Sequence, residues 1–155
     1  MANFIQGKSL RLLEYGNQVL KTALALPQTA TATLFTVSGG RVIVTSLVGT
    51  VSTVIQNQAC TLALGTVPSV GTAASTGLAT ATSIINLEAG THVYLPAAKG
   101  ALTVNGNAGA AAQLFGGSAY VVSAGTISWT TSASNTGAIS WALTYIPLDD
   151  GATVS

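Results

Sequence analysis

In the segment GTISWTTSASNTGAISWALTYIP, residues 125–147, large apolar side chains fall at every second position. Ile127 and Trp129 sit between Thr126, Ser128 and Thr130, and Ile139, Trp141, Leu143 and Tyr145 between Ser140, Ala142 and Thr144. Successive side chains of an extended chain point to opposite faces, so a period of two gives each run one apolar and one small, mostly hydroxylated face. A helix would scatter the same residues around its circumference. The pattern predicts two antiparallel strands joined by a turn at Ser134, Asn135, Thr136 and Gly137, with both tryptophans facing one core. Pro147 ends the second strand because it has no N–H to donate.

The chain before this segment is made of the same material from Thr29 onward: short runs of Thr, Val and Ile broken by Gly, Pro and Asn. Thr31–Val37 and Arg41–Val48 flank Ser38, Gly39 and Gly40, and the Gly-Gly pair suits the positive φ angles of a hairpin turn. Val51–Ile55, Cys60–Leu64, Thr80–Leu87 and His92–Leu95 read as further strands, with Pro68, Gly71, Gly77 and Gly90 marking turns. Two stretches rich in small residues, GTAASTGLATATS and NGNAGAAAQLFGG, are expected as loops or closely packed strands. Gly106, Gly109, Gly116 and Gly117 bracket Ala110–Phe115 too tightly for more than one helical turn. The fold class predicted is all-β, an antiparallel β-sandwich or jelly roll over residues 29–155.

Residues 1–28 differ. Lys8, Arg11, Glu14 and Lys21 all lie within the first 21 positions, whereas Arg41, Glu88 and Lys99 are the only charged side chains from Thr22 to Leu148. Leu10, Leu13, Leu20 and Leu24 nearly fit a helical stripe that Gly7 and Gly16 cut short. The segment is expected to be an N-terminal arm with at most one or two helical turns, whose leucines pack against a neighbouring subunit. Its assembly contacts are assigned to Phe4, Lys8, Leu10, Arg11, Leu12, Leu13, Glu14, Tyr15 and Lys21, which combine apolar anchors with charges that set register.

Charge decides which functions are excluded. Only 6% of the 155 residues are Asp, Glu, Lys or Arg, against about 25% in an ordinary soluble domain. A mean hydropathy of +0.56 speaks against disorder, and a net charge of +1 cannot neutralise the several phosphates that nucleic-acid binding requires. No window approaches the roughly 18 unbroken apolar residues of a spanning helix, so no membrane partner is expected. MANFIQGKSLRLLEYG has no continuous apolar run followed by a small-residue cleavage site, so synthesis and first folding are expected in the cytoplasm.

Catalytic and metal-binding motifs fail one by one. His92 is the sole imidazole, no serine sits in a G-x-S-x-G elbow, and Cys60 is the sole cysteine, expected as a small buried hydrophobe. One His and one Cys fall short of a zinc site. Gly7, Lys8 and Ser9 end like a phosphate-binding loop, but Ala2 stands where its first Gly belongs. Asn105–Gly109 lacks the G-x-G-x-x-G order. Asp149 and Asp150 could contribute to a calcium site, though a solvated tail is the simpler reading. Trp129, Trp141, Tyr120, Tyr145 and Tyr94 could form a sugar-stacking platform, though the alternation favours core packing for both tryptophans. No enzyme, cofactor or metal is expected.

TATATLFTVSGGRVIVTSLVGTVSTVIQNQ, the Gly- and Ala-rich middle, and GTISWTTSASNTGAISWALTYIPLDDGATV together resemble small virion structural proteins of tailed bacteriophages. Several such proteins are capsid decoration, or cement, proteins, and the resemblance spans residues 29–154. It implies a viral structural protein that decorates and stabilises a capsid, located in the virion, with the major capsid protein or another virion protein as partner. It brings no catalytic residue. Scarce charge on the β edges supports self-assembly independently, and a homotrimer is the oligomer expected on an icosahedral head. The alternatives are a receptor- or glycan-binding module of a tail fibre, or a tail or head-completion component.

Overall fold

The computed structural model describes residue 12 and residues 15–71, 77–96, 100–111 and 119–155. Among them the chain forms β1 (Asn17–Ala25), β2 (Thr31–Ser38), β3 (Val42–Thr53), β4 (Thr61–Pro68), β5 (Ala79–Ser83), β6 (His92–Tyr94), β7 (Gly100–Ala101), β8 (Thr103–Val104), β9 (Tyr120–Val122), β10 (Gly125–Thr131), β11 (Ala138–Pro147) and β12 (Thr153–Val154). One six-stranded sheet runs β1-β11-β3-β6-β8, with β9 also paired to β3. The other runs β12-β2-β10-β4-β5-β7. Every pairing is antiparallel except β5 with β7. The architecture is the predicted all-β class, two sheets packed as a sandwich.

Both predicted hairpins are corrected. β10 and β11 do not pair: β10 lies between β2 and β4 in one sheet, and β11 between β1 and β3 in the other. Period-two patterning reports which face of a strand is buried and is silent on which sheet the strand joins. The tryptophans therefore meet from opposite layers, edge to face, with ring centroids 5.9 Å apart and planes at 85°, a favoured aromatic geometry. Likewise β2 and β3 belong to different sheets. Gly39 and Gly40 do take positive φ, +76° and +145°, but as a corner between layers. A Cβ on Gly39 would lie 2.3 Å from the Gly151 carbonyl oxygen and one on Gly40 2.7 Å from Asp149 Cβ, so the corner is closed by the chain after β11.

Ile127, Ile139 and Leu143 join Phe35, Leu47, Ile55, Leu62, Leu64 and Ile84 in the buried layer between the sheets. Trp141 is 1% exposed and opposes Gly49 of β3, where a Cβ would come within 2.9 Å of its ring. A side chain at position 49 would displace the indole, which accounts for a glycine in the middle of a central strand. Cys60 is buried as predicted, its thiol 3.4 Å from the Ala133 carbonyl oxygen.

The predicted arm is corrected over its last third. Residues 17–25 are a strand of the sandwich, paired with β11 from Asn17↔Tyr145 to Ala25↔Ala138. The helical stripe fails because alternate residues, not every third or fourth, face the core: Val19 and Leu24 pack against it while Leu20 is 61% exposed. The phase changes at a bulge between Lys21 and Leu24, where Ala23 takes φ +44° and its N–H is held by Ser140 Oγ at 2.9 Å. The expected helical turn in Ala110–Phe115 falls, from Ala112 onward, outside the described residues.

Candidate functional site

Among the described residues β1 is the last strand on its side of the sheet, so one row of its backbone N–H and C=O groups has no described strand beside it. It is nine residues long, free of proline, and carries one charge, Lys21. Lys21 lies opposite Trp141 and is half-buried. Natural edge strands are commonly shortened, charged or bulged. Here Lys21 and the bulge beyond it are the devices present, and the bulge leaves Asn17–Lys21 in unbroken register with β11. Outward of the sheet, Leu20 and Thr22 of β1, Ser140 and Ala142 of β11, and Val48 and Thr50 of β3 line a shallow groove of about 220 Å³. Lys21 and Trp141 complete the lining, and Lys21 is the one charge among the described lining residues.

The chain enters β1 over a close contact. Gly16 has φ +86°, and a Cβ there would stand 2.2 Å from the Tyr145 carbonyl oxygen, so this position is closed to any side chain. Its N–H donates to the Leu12 carbonyl at 3.0 Å, and the Thr45 hydroxyl of β3 donates to the Tyr15 carbonyl at 3.2 Å. Of the residues assigned to the assembly arm, Leu12 and Tyr15 are exposed, at 43% and 38%, and Lys21 belongs to β1. Phe4, Lys8, Leu10, Arg11, Leu13 and Glu14 lie outside the described residues.

The other candidates are placed individually. His92 Nδ1 meets the Thr50 hydroxyl at 2.9 Å across the β3–β6 pair, so its partner is a threonine and not a carboxylate. Asp149 is held by Arg41: Nε donates to Oδ2 at 2.9 Å, Nη2 to Oδ1 at 2.7 Å, and the Arg41 backbone N–H to Oδ2 at 2.7 Å. These hydrogen bonds pull the Asp149 carboxyl down to about 2 and leave it engaged with a cation of its own chain. Among the described residues no three His, Cys, Asp or Glu side chains gather where they could hold a metal ion. Trp129, Trp141 and Tyr145 are buried, which takes them out of the sugar-stacking platform. Tyr120 is half-buried, and burial raises its pKa. No helix of the described residues is long and apolar enough to cross a membrane.

The groove was not anticipated from the sequence. Its signal is weak because Leu20, Val48 and Ala142 are brought into one row only by the registers Leu20↔Ala142 and Ala142↔Val48. Comparison with protein-family models, with curated proteins and with solved structures found no match.

Proposed function

We propose that this protein is a structural assembly protein that decorates and stabilises a tailed-bacteriophage capsid, joining copies of itself and seating on the major capsid protein or another virion protein. The observation that carries this reading is the edge of β1, which has no neighbouring strand among the described residues and one charge, Lys21, with the groove of hydroxyl and short apolar side chains beside it. A monomer is kept from edge pairing by charge, and Lys21 is the one charged side chain on β1. A partner that extends the sheet satisfies the free backbone groups and covers Leu20. The burial of both tryptophans favours this reading over a glycan-binding tail-fibre module built on them.

Particles assembled without the protein test the proposal. Added protein should bind them at saturable, symmetric positions in a cryo-EM reconstruction and raise the temperature at which they release DNA. Absence of density at any occupancy overturns the capsid assignment.

A further inference from the structure

The loop that leaves β8 begins with Asn105-Gly106, and no other asparagine of the chain is followed by glycine. An asparagine carboxamide is open to attack by the backbone nitrogen of the next residue, and a side chain on that residue stands in the way. Glycine has none. The structure leaves this nitrogen accessible: Gly106 is exposed, its N–H makes no hydrogen bond among the described residues, and a Cβ built on it would meet nothing within 4 Å.

Asn105 also holds this loop closed. Its backbone N–H donates to the His92 carbonyl at 3.0 Å, continuing the β6–β8 pairing by one residue. Its side-chain Nδ2 donates to the Ala110 carbonyl at 2.7 Å and to the Ala111 carbonyl at 3.1 Å, so a single carboxamide ties the start of the loop to residues 110 and 111. Within that span the Ala110 N–H donates to the Asn107 carbonyl at 3.3 Å and the Gly109 N–H to the Gly90 carbonyl at 2.9 Å. Both side-chain bonds depend on the NH2 group, because a carbonyl only accepts. An ionised carboxylate in the same place has no hydrogen to give and faces two carbonyl oxygens.

We propose that Asn105 is a site of spontaneous deamidation whose conversion releases the loop over residues 105–111 from its closed form. A local opening of the loop frees the carboxamide. The Gly106 nitrogen, its proton lost to hydroxide, then attacks Asn105 Cγ: the N–Cγ bond forms, the Cγ–Nδ2 bond breaks, and ammonia leaves with a proton from water. Water opens the resulting cyclic imide. Attack at Cγ leaves aspartate, and attack at the backbone carbonyl leaves an isoaspartyl linkage in which the main chain runs through Cβ and Cγ. In sum a carboxamide and a water become a carboxylate and an ammonium ion, with nothing oxidised or reduced. Either product puts an acceptor where the closed loop has its donor, so the two bonds to Ala110 and Ala111 cannot form again. The isoaspartyl form also lengthens the main chain beside the β6–β8 pairing. Because the attacking nitrogen must lose its proton first, the rate rises with pH, and because the step runs one way, it accumulates with the time the loop spends open. The strand order puts β8 across the sheet from β1, so this inference stands apart from the assembly reading.

Peptide mapping by mass spectrometry tests it on the intact protein aged at mildly alkaline pH. The mass gain of a carboxamide-to-carboxylate conversion should appear on the peptide that holds Asn105 before any other asparagine, in aspartyl and isoaspartyl forms, and faster than at neutral pH. Gly106 lies outside the positive-φ region and has open space around it, so Gly106→Ala should fold like the parent and lose the gain over the same period. Hydrogen exchange reads the consequence. In Asn105→Asp the Gly109 and Ala110 amides should lose protection while those of β3, β10 and β11 keep theirs, and the same loss should develop in the parent as it ages, which keeps the test independent of how well Asn105→Asp folds. An Asn105 peptide that keeps its mass or converts behind another asparagine, an undiminished gain in Gly106→Ala, or Gly109 and Ala110 amides as protected in converted protein as in fresh would each overturn the proposal.

Discussion

Trp141 shows how one residue carries a local rule to a global contact. Its position in the alternation sends it inward, the register sets Gly49 beneath it, and the opposite sheet supplies Trp129 at 5.9 Å. Truncation removes a fully buried ring and leaves a void that neither sheet can close, so Trp141→Ala should lower unfolding stability by about 3–5 kcal/mol in a denaturant titration. Asp149 supports a prediction of the opposite kind, small and set by pH. Its folded pKa of about 2 lies below the ordinary value of 3.8, so the pair with Arg41 stabilises above the unfolded pKa and is lost as pH falls through the folded one. Between about pH 4 and pH 2, the parent should lose melting temperature more steeply than Asp149→Asn, and above about pH 5 the difference between them should be constant. Because both side chains are solvent-accessible, salt should shrink the effect.

At the scale of elements, the strands were legible and their partners were not. Alternation around Trp129 and Trp141, β-branched runs and glycine punctuation located β2, β4, β5, β6, β10 and β11 to within a few residues, whereas the two strands expected at Arg41–Val48 and Val51–Ile55 are one, β3. The same signals could not say that β2 and β3, or β10 and β11, part company into different sheets, because a corner and a hairpin ask for the same glycine angles. Gly39 and Gly40 differ from a hairpin turn only in what presses on them, Gly151 and Asp149, which are more than 100 positions away in the chain. β1 was hidden for another reason: its bulge shifts the alternation midway, so Leu20 and Leu24, four apart, point to opposite faces while imitating a helical spacing. The strand status of residues 17–25 gives a direct test by truncation. Deleting residues 1–15 should leave a cooperative melt close to that of the full chain. Deleting residues 1–28 should cost the sheet an entire strand, strip the cover from β11 and lower the melting temperature sharply.

For the molecule as a whole, the scarcity of charge and the position of β1 as an edge strand among the described residues belong together. A sandwich whose surface is mostly hydroxyl and short apolar side chains is poorly defended against association, and the same surface, if complementary to its own copy, makes association specific. The most direct measurement is light scattering coupled to size exclusion across micromolar concentrations, on the parent and on Leu20→Lys. Leu20 is exposed, so the lysine costs the fold little while placing a charge on the open edge. The parent should run as one species of about three times 15.4 kDa, and Leu20→Lys should shift it toward the single-chain mass while keeping its strand spectrum. A parent that stays monodisperse at 15.4 kDa throughout would contradict the assembly account.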